Sequence, residues 1–272
     1  MSALRHILFP YDFSAQCDEI VPFVRALAQR VSARVTLLSV APPGEVGAAT
    51  EALQRRLDRA LPDAFPGLIV ERVAAAGDAA YHIADFSARR SVDLIMLPTH
   101  GLGLFRTMLV GSVTAKVLHD AACPVWTAAH ADAQTALPLP RTVLCAVDDS
   151  DAGAELARCA TGFATVVGAR LQMFHVVGPV TDWSSLESER RLQEHVREQT
   201  RARIAARLQA AGVTAPLRVA LGGVVEAVVE EARQEGADLV ILGRGSVAEP
   251  FGRLRTHAFG IIHRSPCPVI SV

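Results

Sequence analysis

Residues 7–14 read Ile-Leu-Phe-Pro-Tyr-Asp-Phe-Ser, and residues 143–150 repeat this pattern as Val-Leu-Cys-Ala-Val-Asp-Asp-Ser. Both are short apolar runs that end on an aspartate, and their alignment places Asp12 on Asp148. The same offset aligns a second apolar run, residues 34–40, with residues 170–176. Between the two runs, each half has apolar residues at the i, i+3, i+4 spacing of a helix. The chain therefore contains two copies of one unit.

Later segments of the two halves also match: Gly77 with Gly222, residues 93–98 with 238–243, and residues 122–125 with 266–269. Each half alternates strands with helices, which predicts right-handed βαβ units and a parallel sheet. We predict an α/β fold with two homologous, doubly wound, five-stranded parallel-sheet domains of Rossmann-like type. The predicted domains are residues 1–130 and 141–272, joined by a linker at 131–140 that contains proline and alanine.

The composition argues against several classes of partner. The net charge is -1 and the isoelectric point is about 6.8, so we expect no binding to nucleic acid or to an anionic membrane. No apolar run approaches the roughly 18 residues of a membrane span, and the chain shows no cleavable signal, so we expect a cytoplasmic protein. The five cysteines are scattered without a C-x-x-C motif, and we interpret them as small buried apolar residues.

A segment suited to binding an anion follows the predicted strand at residues 93–97. After a turn at Gly101 and a nine-residue loop, Gly111 and Ser112 open an amphipathic helix. Glycine allows the main chain to approach a ligand closely, and Ser112 and Thr114 add hydroxyl donors. The first turn of a helix also has unpaired N–H groups at the positive end of its dipole. A triphosphate is the ligand that this segment predicts.

With these motifs the chain resembles the universal stress proteins, in their tandem form with two domains. Four motifs carry the resemblance: Pro10-x-Asp12-x-Ser14, Leu37-Leu-Ser-Val40, the segment around Gly101 and Gly111-Ser112, and Cys-Pro-Val before the last strand of each half. The match covers nearly the whole chain and implies the fold of the adenine nucleotide alpha hydrolases. The family's pattern G-x2-G-x9-G-[ST] is met except at its first glycine, where this chain has Pro98.

The resemblance implies that ATP, with Mg²⁺ or Mn²⁺, binds at the carboxyl ends of the parallel strands in the first half. Asp12 would contact the sugar or the base edge, Pro10 would lie near the adenine, and Val40 would offer it backbone groups. The residues expected around the phosphates are Gly101, Gly111, Ser112, Val113 and Thr114.

Pro98 and the second half both depart from the family's pattern. Proline lacks an N–H, and a lost phosphate donor would cost about 0.5–1.5 kcal/mol, or roughly tenfold in affinity. In the second half Arg255-Thr256 replaces Gly111-Ser112, so we expect little or no ATP binding there, although Asp148 persists. Three arginines surround this altered loop and could bind another anion, face solvent or contact the other domain: Arg244, Arg253 and Arg255.

The leading functional hypothesis is an ATP-binding regulatory protein of a stress response that acts through an unknown protein partner and requires no reaction. One alternative is a slow ATPase or nucleotidyl transferase at the same site, although the chain has no G-x-x-x-x-G-K-[ST] motif. Another is a protein-interaction module that binds no nucleotide. We expect the halves to pair as an intrachain pseudo-dimer, with strands 124–128 and 268–272 antiparallel, and a homodimer of chains remains open.

Overall fold

The computed structural model describes residues 4–44, 47–99, 111–128, 139–178, 186–244 and 256–272. The elements of the first half are β1 His6–Pro10, α1 Ala15–Val31, β2 Arg34–Ala41, α2 Ala48–Asp58, β3 Val70–Ala76, α3 Ala79–Arg89, β4 Leu94–Pro98, α4 Ser112–Asp120 and β5 Val125–Ala128. Those of the second half are β6 Thr142–Ala146, α5 Asp151–Val167, β7 Arg170–Val177, α6 Leu186–Ala210, β8 Leu217–Leu221, α7 Val224–Gln234, β9 Leu239–Leu242, α8 Thr256–Arg264 and β10 Val269–Ser271. Strands and helices alternate through both halves, as the sequence predicts.

The described strands form one ten-stranded sheet in the order β3-β2-β1-β4-β5-β10-β9-β6-β7-β8. Neighbouring strands run parallel within each half. The halves join through β5 and β10, which run antiparallel with Trp126 opposite Ile270. The predicted α/β class is therefore confirmed, and so is the antiparallel contact of the last strands. Most of the proposed linker, residues 131–138, lies outside the described residues.

The two halves also share the residues that cap their first helices and form their turns. Ser14 caps α1 and Ser150 caps α5, each with its hydroxyl oxygen accepting a first-turn N–H. The aligned residues Gly77 and Gly222 have φ angles of 137° and 134°, which side chains rarely allow. The same turn therefore connects β3 to α3 and β8 to α7.

Two apolar layers cover the faces of the sheet, and each layer runs through both halves. One contains side chains of α1, α2, α5 and α6, and the other contains side chains of α3, α4, α7 and α8. Near the junction, the rings of Phe23 on α1 and Trp126 on β5 lie 5.5 Å apart. The central strands are buried on both faces, which explains their nearly continuous aliphatic sequences. Within the described part of the chain, no helix has the length and apolar character of a membrane span.

A buried arginine of the second half holds the first half at the end of α4. Arg244 follows β9 and is only 4% exposed. Its guanidinium donates to three main-chain carbonyls at or just after the C-terminus of α4, those of Leu118 at 2.9 Å, Ala121 at 3.1 Å and Cys123 at 2.8 Å. A cation is favourable there because the last carbonyls of a helix lack intrahelical donors. Of the alternatives left open for Arg244, the structure shows the interdomain contact.

His6 is a buried polar side chain at the start of β1, and it is surrounded by several polar neighbours. The His6 ring is 2% exposed, with Nε2 2.8 Å from the Thr36 hydroxyl and Nδ1 3.0 Å from the Arg34 guanidinium. Burial lowers the pKa of His6, and the charge of Arg34 acts in the same direction. Three groups act in the opposite direction, namely the Arg90 carbonyl and the carboxylates of Glu71 and Asp93. Burial prevails, so the folded protein favours the neutral ring.

We expect Arg244→Ala to lower the free energy of unfolding by about 2–4 kcal/mol, because three carbonyls lose a charged donor. Urea unfolding followed by circular dichroism measures the change. Arg158→Ala is the matched control, since Arg158 forms a half-exposed ion pair with Glu155 and should cost no more than about 1 kcal/mol. Equal losses in the two variants would contradict the assigned contact.

The lowered pKa of His6 predicts a loss of stability in acid. Well above pH 6.5, the ordinary pKa of histidine, the ring is neutral in both states and contributes no pH dependence. As the pH falls below 6.5, the unfolded chain takes up a proton that the folded chain resists, so stability declines until the folded pKa is reached. Urea unfolding between pH 7.5 and 5 should show a shallower decline for His6→Gln than for the wild type. His195→Gln, an exposed change on α6, should keep the wild-type decline.

Candidate functional site

The candidate site lies at the carboxyl ends of β1, β2 and β4. Strands β2 and β4 flank β1, so the chain connections diverge on the two sides of that strand and leave a crevice at its end. Pro10 ends β1, Asp12 follows it, and Val40 is near the end of β2. The connection after β4 leads to α4, which begins at Ser112. The structure thus brings the residues predicted to contact the adenosine, which are Pro10, Asp12 and Val40, to the same edge of the sheet as the start of α4. The start of α4 is the part predicted to contact the phosphates.

Asp12 is held in place at the mouth of this crevice. Its Oδ1 accepts the Ser14 N–H at 3.0 Å and the Cys17 thiol at 3.1 Å. Phe13, which lies between Asp12 and Ser14, has a φ angle of 62°. This left-handed conformation is uncommon for a bulky residue, and it turns the chain from β1 into α1. The half-buried carboxylate therefore supports the start of α1 and faces the carboxyl edge of the sheet.

Cys17 has a polar role that its sequence context does not indicate. Burial raises the pKa of Cys17 to about 12, so the thiol stays protonated and donates to Asp12. It also lies 3.7 Å from the Pro10 carbonyl. The sequence interpretation of this residue as a small buried apolar group covers its burial but misses its hydrogen bond.

Pro10 and Val40 remain partly accessible beside Asp12. Pro10 pairs with Leu38 of β2, and Val40 pairs with Ala75 of β3. Both are half-buried, whereas most residues of β1 and β2 are fully buried. Their side chains therefore leave partly exposed apolar surface beside Asp12.

Two hydrogen bonds fasten the start of α4 to the end of β4. The Gly111 N–H donates to the Thr99 carbonyl at 2.7 Å, and the Thr114 hydroxyl donates to the Pro98 carbonyl at 3.1 Å. Pro98 is buried as the last residue of β4, opposite Ala128. Two donors that the sequence analysis assigns to phosphate are thus engaged within the protein. Gly101 lies outside the described residues.

The first turn of α4 retains main-chain donors. No side chain among the described residues caps this helix, which follows Gly111 directly. The N–H groups of Ser112, Val113 and Thr114 belong to the first turn, where a helix provides no acceptor. Ser112 is exposed and Val113 is 39% exposed, so this turn is open to solvent. A positive dipole end with main-chain donors is suited to an anion.

Two cationic side chains near this edge of the sheet do not belong to any of the sequence motifs. Lys116 lies one turn after Ser112 on α4, and its Nζ is 2.8 Å from Asp78 Oδ2 at the start of α3. The Lys116 hydrogen bond lowers the pKa of Asp78. From α2, the Arg56 guanidinium stacks 3.8 Å from the centre of the Phe13 ring. The i, i+4 spacing could have indicated Lys116, but only the fold brings Arg56 next to Phe13.

In the second half, a cleft of about 770 Å³ lies at the corresponding edge, at the carboxyl ends of β6, β7 and β9. Asp148 takes the position of Asp12 and accepts the Ser150 hydroxyl instead of a thiol. Gly153 replaces Cys17, and a Cβ at this glycine would collide with both the main-chain carbonyl and the carboxylate of Asp148. Arg253 and Arg255 lie outside the described residues.

The comparisons with known proteins agree with the repeat. The model of the universal stress protein family matches residues 3–128 and 140–272. A curated universal stress protein of Synechocystis is 31% identical over 128 residues, which are 44% of this chain and 82% of that protein. One from Thermus aquaticus is 31% identical over 139 residues, which are 48% of this chain and 98% of that protein. Each of these relatives corresponds in length to about one half of this chain.

A solved structure shares the whole two-domain arrangement. It is a universal stress protein from Archaeoglobus fulgidus, with a TM-score of 0.74 and 19% sequence identity, and the match covers 98% of this chain and 97% of that one. At this identity the likeness concerns the fold alone. The family model, in contrast, accounts for nearly every residue in two tandem copies. We conclude that the chain belongs to the universal stress protein family and carries the family's domain twice.

Proposed function

We propose that the first half binds ATP, with Mg²⁺ or Mn²⁺, between the ends of β1 and β4, and that the bound nucleotide regulates an interaction with a protein partner during stress. The main supporting observation is the uncapped first turn of α4 at the same edge as the Asp12 carboxylate. The N–H groups of the helix suit phosphate oxygens, and the carboxylate suits ribose hydroxyls. The cytoplasm, which the sequence leads us to expect, remains the proposed compartment.

The residues divide between the two ends of the nucleotide. Asp12 accepts a ribose hydroxyl, and Pro10 and Val40 provide the half-buried surface against adenine. The first-turn N–H groups of α4 and the Ser112 hydroxyl bind the phosphates, where a helix dipole favours an anion by about 0.3–2 kcal/mol. Lys116 lies one turn further along, and its ammonium group is paired with Asp78.

The metal ion enters this proposal together with the triphosphate. Magnesium commonly uses phosphate oxygens and water as ligands, with only one or two carboxylates from the protein. In the part of the chain that the structure describes, no cluster of three or more His, Cys, Asp or Glu side chains could hold a metal ion. In this proposal the phosphates supply most of the coordination, and the charge of the metal reduces their repulsion.

In this proposal the Thr114 hydroxyl stabilises the packing of α4 on β4, and the Ser112 hydroxyl donates to the ligand. Thr114 is 4% exposed and is bonded to Pro98, while Ser112 is open to solvent. Because the Pro98 carbonyl receives this bond inside the sheet, we infer that Pro98 helps to position α4. The cost that the sequence analysis attaches to its missing N–H applies only if that donor would have faced a phosphate.

We expect isothermal titration of MgATP to show one site per chain, and Gly111→Arg to abolish binding because its side chain would cover the start of α4. Gly178→Arg is the matched control, since a Cβ at Gly178 meets no atom within 4 Å. Incubation of the wild-type complex and assay for ADP then tests the slow-ATPase alternative. A wild-type chain that binds no MgATP would overturn the proposal and favour the interaction-module hypothesis.

A second pair of variants separates the two hydroxyls. Ser112→Ala should weaken ATP binding about three- to tenfold with little change in stability, because the lost donor faces the ligand. Thr114→Val should lower the free energy of unfolding by about 1 kcal/mol and change ATP affinity less than threefold. Titration and urea unfolding of both variants provide the test. The reverse pattern would show that Thr114 contacts the phosphates.

A further inference from the structure

Helix α4 is held at its two ends by residues that occupy equivalent positions in the two halves. Thr99 lies just after β4 and Arg244 lies just after β9, and the alignment of these two strands makes them counterparts. At the start of the helix, the Gly111 N–H donates to the Thr99 carbonyl at 2.7 Å. At its other end, the Arg244 guanidinium donates to three main-chain carbonyls. One helix of the first half is therefore fixed from both halves.

The main chains of these two residues are tied to the strands that join the halves. The Thr99 N–H donates to the Ala128 carbonyl of β5 at 3.2 Å, and the Arg244 N–H donates to the Val272 carbonyl just after β10 at 2.9 Å. Strands β5 and β10 pair with each other. Because the Arg244 side chain is only 4% exposed, water reaches its partners poorly. A buried polar connection therefore runs from the junction of the sheet through Arg244 to the end of α4.

The length of α4 makes its start sensitive to the position of its end. A helix rises about 1.5 Å per residue, so the nine residues of α4 span about 14 Å. A rotation of about 5° about one end would displace the other end by about 1 Å. The distances of N–H···O hydrogen bonds vary by only about 0.5 Å. A small tilt at the Arg244 end would therefore misplace the first-turn donors, which include the N–H groups of Ser112 and Val113.

Other restraints on α4 lie along its body and at its start. Val117 and Leu118 are fully buried, and the Thr114 hydroxyl donates to the Pro98 carbonyl. Apolar burial is non-directional, so it holds the helix on the sheet more firmly than it holds its tilt. The hydrogen bonds from Arg244 are directional, and they act at the end farthest from the proposed phosphate site. They are therefore well placed to set the tilt of the helix.

We propose that Arg244 is a positioning residue for the first turn of α4, and that the second half thereby sets the affinity of the first half for the phosphates of its ligand. The guanidinium lies at the opposite end of the helix from the proposed phosphate site, so it acts through the helix and contacts no nucleotide. The statement about affinity rests on the proposed function, whereas the statement about the helix does not. The tandem arrangement then has a role in ligand binding beyond joining two copies.

Hydrogen exchange followed by NMR tests the position of the helix without any nucleotide. Two reporter amides mark the start of α4, the Gly111 N–H on the Thr99 carbonyl and the Ala115 N–H on the Gly111 carbonyl. Arg244→Met removes the donors and keeps an unbranched side chain, and it should speed the exchange of both amides about tenfold or more. Arg244→Lys, whose ammonium group still donates hydrogen bonds, should keep their exchange within about threefold of the wild type.

Arg72→Met is the matched control, because it removes another guanidinium from carbonyls at the end of a helix. Arg72 donates to the carbonyls of Ala60 at 3.1 Å and Leu61 at 3.4 Å, just after α2. This change should leave the exchange of the two reporter amides within about threefold of the wild type. Equal acceleration by Arg72→Met and Arg244→Met would show a general loss of stability and would overturn the inference. Unchanged exchange in Arg244→Met would overturn it as well.

Calorimetric titration with MgATP tests the consequence for binding. Arg244→Met should weaken binding about three- to tenfold, and Arg244→Lys should recover most of the affinity, whereas Arg72→Met should change it by less than about twofold. If the wild type binds MgATP and Arg244→Met binds it equally well, the inference is wrong while the proposed function stands.

The remaining outcomes separate the two proposals. If the wild type binds no MgATP, the statement about affinity fails with the proposed function, and the exchange of the reporter amides alone decides whether Arg244 positions α4. If Arg244→Met does not fold, Arg244→Gln, which keeps a neutral amide donor, replaces it in both measurements with the same expected directions.

Discussion

The antiparallel pairing of β5 with β10 is the interaction on which the arrangement of both halves depends. It converts two five-stranded parallel sheets into one continuous sheet and buries a strand edge of each half. It also allows each apolar layer to continue from one half into the other, with Phe23 and Trp126 packed near the junction. Because the two strands run in opposite directions, the carboxyl ends of the two parallel sets lie at opposite edges. The two clefts are therefore separate and do not form one composite site.

This geometry explains the position of Arg244. Helix α4 begins at the carboxyl edge of the first half, so it ends towards the opposite edge, which is the carboxyl edge of the second half. Arg244 follows Gly243, which lines the second cleft, and its guanidinium binds the carbonyls at the end of α4. The aligned residue in the first half is Thr99, whose hydroxyl instead donates to the Ala128 carbonyl of its own half. The two halves of the sheet are related by pseudo-symmetry, but among the described residues this contact has no counterpart in the first half. Helix α4, which begins at the proposed phosphate site, is therefore bound at its other end by Arg244 of the second half.

The sequence predicts the fold well because its evidence is local and repeated. Strand periodicity, matched glycines and the Ser14 and Ser150 caps each depend on a few neighbouring residues, and two copies of each pattern support one another. The site is harder to predict, because its details depend on contacts between distant segments. The pairing of the Thr114 hydroxyl with Pro98 requires β4 and α4 to be packed together. A motif names the residues at a site, but it does not show which of their donors the fold has already used.

The two halves show how a duplicated site can change at one end only. In the first half, the donors proposed for phosphate are main-chain groups at the start of α4, and the acceptor proposed for the sugar is Asp12 after β1. These groups lie on different elements, and the sheet holds the strand end in place whatever the helix start contains. Substitutions at the start of α8, such as Ala258 at the position of Thr114 and Gly260 at that of Lys116, can therefore change the side chains there without displacing Asp148. Gly153 fits the same argument, because a Cβ there would collide with the main-chain carbonyl and the carboxylate of Asp148.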